Sequence, residues 1–367
     1  MMKFETLEPA YHPKNKMGFL IDWLVTLKCN YDCAYCDLSG HDNSTRHPPL
    51  EKCLIMLKQM YQYTDVIMSH KKKPFKDVTM NIYGGESIYH PDILKIIQQT
   101  SEMYRPYEGN WRLRRRITTN GTAVEKNWKE ICRHIEGFTM SYHSTGPEKL
   151  KKLFYDNLLY LVKIEKEHDI VVCMYPTKEH WKDCVNFLRW AKENGLRARP
   201  KILDGPLGIY QKHHIEELKE FIKESELQDW DITKKADHQA RGCCGGRQMC
   251  FNRNLKEHNF LVPRKDDGFK GWHCSANQFF LHGNNVSGLY FTNKDCRVRL
   301  NGKTGPIANL HTMDTYIKNM EKQQVLPTLV CAQTECICGT CAPKSVHKKN
   351  LDDIVGIYNK TTVADNV

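Results

Sequence analysis

The sequence predicts an α/β fold: a partial (β/α)6 TIM-like barrel followed by a small, cysteine-rich, loop-rich α+β domain. Two observations lead there. From Met17 to about Glu226 short apolar runs alternate with amphipathic helical stretches, the pattern of βα units around a parallel sheet. Six units can be counted, which falls short of the eight of a closed barrel and implies an open one. From Leu227 onward the chain turns rich in glycine, asparagine and cysteine, with only short β-like pieces such as "NQFFLH" and "GLYFT". A region of that kind builds little core of its own and usually needs a metal or another staple. The expected division is an N-terminal extension (1–16), the barrel (17–226), the second domain (227–345) and a tail (346–367).

The strands expected in order are Gly18 to Thr26, Val78 to Tyr83, Arg115 to Thr119, Gly137 to His143, Ile170 to Pro176 and Leu196 to Leu203. Between and after them, helices are expected to open at Pro49, Pro91, Glu125, Gly146, Lys178 and Lys212. Proline in a first helical turn costs no hydrogen bond, and Gly137 and Gly195 are sensible stops. In parallel α/β architectures chemistry collects at the carboxyl ends of the strands, so the loops after each strand are where functional residues belong.

The chain of 367 residues is 40% hydrophobic and 26% charged, ordinary for a globular protein. Its first residues lack the apolar stretch of a secretory signal, and no run approaches the roughly 18 apolar residues that span a bilayer, so a cytoplasmic protein without membrane contact is expected. In that compartment 16 cysteines point to metal or redox chemistry rather than disulfides. Four of them, Cys53, Cys132, Cys173 and Cys184, sit in apolar or helical contexts and read as buried small hydrophobes. The formal charge of +11 gathers in runs such as His70 to Pro74 and Arg112 to Arg116 and modestly favours an anionic partner. No motif with interleaved aromatics accompanies those runs, so nucleic acid is not the favoured partner.

Cys29, Cys33 and Cys36 fall within eight residues directly after the first strand, a stretch that holds no fourth thiol and no histidine to complete a tetrahedral set. Zinc would want four protein ligands, or three and a water. A cubane held by three cysteines would leave one iron open to a substrate or cofactor. The spacing CxxxCxxC, with Tyr35 before the last cysteine, resembles the radical S-adenosylmethionine (radical SAM) superfamily. So do "YGGES" after the second strand, with Gly84, Gly85 and Glu86 in place of that family's GGE motif, and "ITTNGT" at the third. The resemblance covers roughly Met17 to Leu203. It implies a partial barrel in which the three cysteines hold a 4Fe-4S cluster whose open iron takes the amino and carboxylate groups of S-adenosylmethionine (AdoMet). An electron from that cluster then makes a 5′-deoxyadenosyl radical that abstracts hydrogen from a C–H bond. An electron donor such as flavodoxin or ferredoxin is implied with it, and a site that excludes water and oxygen.

Around that centre Asn120, Ser141 and His143 close strands and are candidates to bond the ribose or the substrate. His143 is also a candidate acid or base, since its unperturbed pKa lies near neutrality. Val172 and Met174 are candidates to pack on the adenine or in plain core, and Tyr35 resembles the family's adenine-flanking aromatic.

Nine cysteines lie between Cys243 and Cys341. Cys274, Gly283 and Cys296, followed by the late group at 331–341, resemble the SPASM or twitch regions that hold auxiliary clusters, although the late spacing Cx4CxCx2C departs from the usual one. One or two auxiliary Fe-S clusters are therefore expected. The leading ligand set is Cys274, Cys296, Cys336 and Cys338, with Cys331 and Cys341 as alternates and a structural zinc at the Cys338–Cys341 pair as the competing reading. In "GCCGGRQMC" one of Cys243, Cys244 and Cys250 reads as a ligand and another as a hydrogen-atom donor. The competing readings are a glycine turn with a buried thiol, or an anion nest at Gly245 to Arg247. The expected substrate is a peptide or an amino-acid residue, even though no leader-peptide-binding module is recognisable ahead of the barrel. The alternatives are a sugar, nucleotide or nucleic acid modified by the same chemistry and, more distantly, a non-catalytic zinc-binding interaction protein, which would leave the GGE match unexplained.

Overall fold

The computed structural model describes residues 6–7, 18–36, 41–69, 77–104, 111–203, 210–224, 271–274, 278–285, 288–290, 318, 329–330 and 344–345. In chain order these form β1 (Thr6–Leu7), β2 (Phe19–Thr26), α1 (Leu50–Ser69), β3 (Asp77–Gly84), α2 (Ile93–Tyr104), β4 (Arg112–Thr119) and α3 (Glu125–His134). They continue with β5 (Gly137–His143), α4 (Glu148–Lys163), β6 (Glu167–Met174), α5 (Lys178–Glu193), β7 (Ala198–Ile202) and α6 (Lys212–Glu224). Short strands follow: β8 (His273–Cys274), β9 (Phe280–Asn284), β10 (Gly288–Tyr290), β11 (Leu329–Val330) and β12 (Lys344–Ser345).

The main sheet has the order β10-β9-β2-β3-β4-β5-β6-β7. Strands β2 to β7 are parallel neighbours in sequence order, each followed by a helix, which is the expected open run of six βα units. Alternation along each strand sorts the side chains. In β2, Phe19, Ile21, Trp23 and Val25 are wholly buried, and they join Met56, Leu57 and Met60 of α1 in the main core. Cys53, Cys132, Cys173 and Cys184 are all buried, as expected of small hydrophobes. Burial pushes the thiols of Cys53 and Cys132 up to about 12 and that of Cys184 to about 11.

The expected strand at Arg115 begins earlier, at Arg112, so the arginine run is itself β-structure. Its four arginines meet three carboxylates within the fold: Arg112 pairs with Asp77 at 2.7 Å, Arg115 with Glu136, and Arg114 and Arg116 share Glu167. These pairs offset much of the run's charge, although Arg112 stays exposed and two arginines share one carboxylate. Asp77 starts the neighbouring β3, Glu136 immediately precedes the neighbouring β5, and Glu167 starts β6, one strand further along the sheet. The lysine run at 70–74 lies outside the described residues.

Two pieces from beyond residue 270 change how the barrel ends. Strand β9 pairs in parallel with β2, Leu20 to Leu24 against Phe280 to Asn284, and β10 returns antiparallel on its far side. These pieces extend the barrel sheet itself. Asn285 ties them down: its backbone N–H donates to Leu24 O at 3.2 Å, its side chain donates to Val25 O at 3.0 Å, and it accepts from the Trp23 indole at 3.1 Å. A second small sheet has the order β1-β12-β8-β11. Among the described residues no helix is long and apolar enough to cross a membrane.

Candidate active site

The carboxyl ends of β2, β3, β4 and β5 open onto one cavity, lined by Cys29, Cys33 and Cys36, by Gly84, Gly85 and Glu86, by Thr118 to Asn120, and by Ser141 and His143. Tyr31 and His41 complete its wall. Parallel strands side by side deliver their following loops to the same end, so residues more than a hundred positions apart in sequence meet there.

Backbone contacts hold the cysteine loop. Gly85 N–H donates to Thr26 O at 2.9 Å and Glu86 N–H to Lys28 O at 2.8 Å, which continues the β2–β3 ladder past the strand ends. The glycines are required by that approach: a Cβ on Gly84 would stand 2.5 Å from Thr26 O, and one on Gly85 2.4 Å from Leu27 O and 2.6 Å from Lys28 O. On the other side, Asn30 donates to Thr122 Oγ1 at 2.7 Å, Thr122 to Asn120 Oδ1 at 2.7 Å, and Asn120 to Asn30 Oδ1 at 2.8 Å. This closed ring locks the loop to the turn after β4. Gly121 makes that turn at φ +67°, a conformation that favours glycine.

Glu86 is buried at the back of the cavity, where its carboxylate accepts from Ile88 N–H at 3.0 Å, from the Thr119 hydroxyl at 2.9 Å and from Asn120 N–H. Burial nevertheless raises its pKa to about 7, because no lysine or arginine among the described residues lines the cavity. Burial likewise pushes Cys29 up to about 12, helped by the charges of Glu86, Cys33 and Cys36. For Cys33 burial works against ionisation, but hydrogen bonds with His143, Thr145 and Tyr35 outweigh it and leave the thiol below its ordinary value. Its sulfur lies 3.0 Å from Thr145 Oγ1 and 3.9 Å from His143 Nδ1. Three thiols and a carboxyl held this close are frustrated unless positive charge enters among them.

The other expected residues fare differently. Tyr35 stacks parallel to His143 with ring centroids 6.0 Å apart, and its hydroxyl lies 2.8 Å from His143 Nδ1, so that nitrogen is already engaged within the protein. The Asn120 side chain lines the cavity and also takes part in the ring described above. Val172 and Met174 share one face of β6, belong to the main core and are not among the residues lining the cavity, which favours the plain-core alternative. Tyr175, one position on, is the aromatic neighbour of Tyr35, at 5.2 Å. Sequence reading missed Tyr31, His41, Thr145 and Tyr175. His41 had a signal, since Cys36 and His41 stand in C-x4-H spacing, within the range used by metal ligands.

Cys274 is buried on β8. Leu329 of β11 and Lys344 of β12 both pair with it in register, so the strands that bracket the late cysteine group in sequence flank the strand carrying Cys274. Cys243, Cys244, Gly245 to Arg247, Cys250, Cys296, Cys331, Cys336, Cys338 and Cys341 lie outside the described residues.

Compared with known families, residues 23–222, more than half of the chain, match the Radical SAM superfamily. The chain belongs to that superfamily. It is therefore a radical SAM enzyme, with a 4Fe-4S cluster and AdoMet as its cofactors. No curated protein matches the sequence. Among solved structures the chain is similar to anSMEcpe with bound AdoMet, at 14% identity and a TM-score of 0.46, covering 95% of this chain and 99% of that one. The same enzyme with AdoMet and the Cp18Cys peptide gives 15%, 0.47, 95% and 99%. BtrN in complex with AdoMet and 2-DOIA gives 12% identity and a TM-score of 0.37, covering 87% of this chain and 93% of that one.

The residues present fit both cofactors. Among the described residues no three of His, Cys, Asp or Glu converge to hold a single metal ion. A cationic core deprotonates its thiol ligands outright, and an ammonium group would supply the charge that buried Glu86 lacks.

Proposed function

We propose that this enzyme uses Cys29, Cys33 and Cys36 to hold its cluster and Gly84, Gly85 and Glu86 to receive the methionine end of AdoMet, and that its substrate is a peptide or an amino-acid residue. The observation that carries the reading is the shared cavity in which three thiols face a buried carboxyl with a raised pKa and no cationic partner. When bound, the reduced cluster supplies the electron that cleaves AdoMet to the radical that takes hydrogen from the substrate. The chain's own part is to hold and orient. Glu86, fixed by Ile88, Thr119 and Asn120, is the acceptor for an amino group. Tyr35, with the ring of Tyr175 tilted against it, is the candidate aromatic beside the adenine. Ser141 lines the cavity as a polar contact for ribose or substrate, and His143, steadied by Tyr35, stands beside Cys33 as the available acid or base.

An auxiliary cluster at Cys274, with partners drawn from Cys296, Cys331, Cys336, Cys338 and Cys341, is supported by the pairing of β8 with β11 and β12. A peptide substrate accords with the SPASM-like outline of that region. The sugar or nucleic-acid alternative is the weaker reading, because three carboxylates of the fold offset most of the Arg112 to Arg116 charge.

The test is anaerobic reconstitution, iron and sulfide analysis, and incubation with AdoMet and a strong reductant. Formation of 5′-deoxyadenosine by the wild type, lost in Cys29→Ala/Cys33→Ala/Cys36→Ala, is expected. Iron retained by that triple variant would measure the auxiliary clusters. Wild type that binds iron but never cleaves AdoMet would overturn the assignment.

A further inference from the structure

His41 is the second histidine of the cavity, and unlike His143 it has no function in the arrangement described so far. It is 7% exposed, lines the same space as the three cysteines, and its Nε2 is buried with no hydrogen-bond partner among the described residues. A buried polar nitrogen without a partner is costly, and in a native protein it calls for a group that arrives later. The position is built. Asp42 N–H donates to Leu27 O at 2.8 Å, Cys29 N–H donates to Asn43 Oδ1 at 2.9 Å, and Asn43 Nδ2 donates to Tyr31 O at 3.4 Å. The turn bearing His41 is thus hydrogen-bonded at three points to the loop that bears Cys29, so the imidazole and the thiols are held as one unit.

We propose that His41 Nε2 ligates the fourth iron of the cluster while AdoMet is absent and gives way when AdoMet binds. The proposal rests on the cluster assignment above. Imidazole is a proven ligand for iron in iron-sulfur clusters, and the Cys36-x4-His41 spacing is one that metal-binding loops use. A mononuclear Cys3His zinc site is disfavoured by the geometry, since no three such side chains among the described residues converge on one point. The exchange is redox-neutral. The iron–Nε2 bond breaks, bonds from that iron to the amino nitrogen and a carboxylate oxygen of AdoMet form, and the imidazole leaves neutral, its proton on Nδ1. In the AdoMet-free enzyme the ligand closes the open iron to water and oxygen and holds it in the cluster. Once displaced, the imidazole leaves the iron by rotation of its own side chain while its turn stays held.

The experiment is pulsed electron paramagnetic resonance of the reduced, reconstituted full-length enzyme carrying isotopically labelled histidine, without and with AdoMet. The expected result is an imidazole nitrogen coupling in the AdoMet-free enzyme that disappears on adding AdoMet and is absent from His41→Ala. His41→Ala should still assemble iron and sulfide, bind AdoMet at least as tightly as wild type, and lose one iron to the three-iron form more readily on oxidation. His41→Cys, supplying a stronger ligand, should weaken AdoMet binding. A full cluster with no histidine coupling, a coupling that survives His41→Ala, or weaker AdoMet binding by His41→Ala would each overturn the proposal and leave the cluster assignment standing. Failure of the wild type to bind iron and sulfide through Cys29, Cys33 and Cys36 would instead remove the assignment beneath it.

Discussion

Replacing Gly85 with alanine tests how the cysteine loop is held. The added Cβ would stand 2.4 Å from Leu27 O and must move to the 3.4 Å at which ordinary contact begins, a displacement of about 1 Å. Lys28 O at 2.6 Å on the same side blocks an easy sideways escape, and both obstacles are backbone. The loop must therefore lift from β3, weakening the Gly85 to Thr26 and Glu86 to Lys28 hydrogen bonds. Overpacking of this kind costs about 1–3 kcal/mol. For a unit of this size that lowers the melting temperature by roughly 2–12 °C. The functional effect should be larger, because a misplacement of about 1 Å at a reacting centre costs on the order of 100-fold in rate. Thermal unfolding of the apo protein and the single-turnover rate of 5′-deoxyadenosine formation measure the two effects separately. A Gly85→Ala enzyme that melts with the wild type and cleaves AdoMet within about twofold of its rate would refute the claim that close backbone packing fixes this glycine.

Three further outcomes are expected. Glu86 has a folded-state pKa of about 7, above its ordinary value of 4.5, so apo stability should be fully present below about pH 4.5, fall as the pH rises through 7, and level off beyond. The drop is on the order of 3 kcal/mol; denaturant unfolding across that window should show it in wild type and a flatter profile in Glu86→Gln, and equal slopes would count against the assignment. Asn285→Ala strands the buried Trp23 indole and frees Val25 O, so it should cost about 1–3 kcal/mol and loosen β9 from β2, read as faster amide exchange in both strands; protection unchanged in β2 would contradict the clasp. Arg112→Ala breaks only an exposed pair with Asp77, so stability should change by less than about 1 kcal/mol and AdoMet cleavage not at all; a marked loss of activity would restore that strand as a substrate surface.

Much of the site was legible because its signals are local. Cys29, Cys33 and Cys36 lie in one loop, Gly84 to Glu86 in another and Thr119 to Thr122 in a third, and strand–helix periodicity places each at the carboxyl end of its strand. Asn120 was legible as a site residue, but its role was not, because its partners Asn30 and Thr122 reach it from two loops. The place of His41 was not legible, because the contacts that return its turn to the cavity run from Asp42 and Asn43 to Leu27, Cys29 and Tyr31.

The amino-acid sequence alone determined the order of the six βα units, the helix starts, the burial of the scattered cysteines and the chemistry that the triad requires. Periodicity, capping and ligand spacing are properties of neighbouring residues, and those can be read along a chain. Tertiary structure decided that β9 closes onto β2 through contacts such as Trp23 with Asn285, 262 positions apart, and that the arginines of β4 meet carboxylates. It also decided that Met174 lies in the core and that His41, whose Nε2 has no partner among the described residues, lines the cavity. Each of those depends on strand register and on which distant backbone groups satisfy one another, and that is settled only when the sheet is assembled.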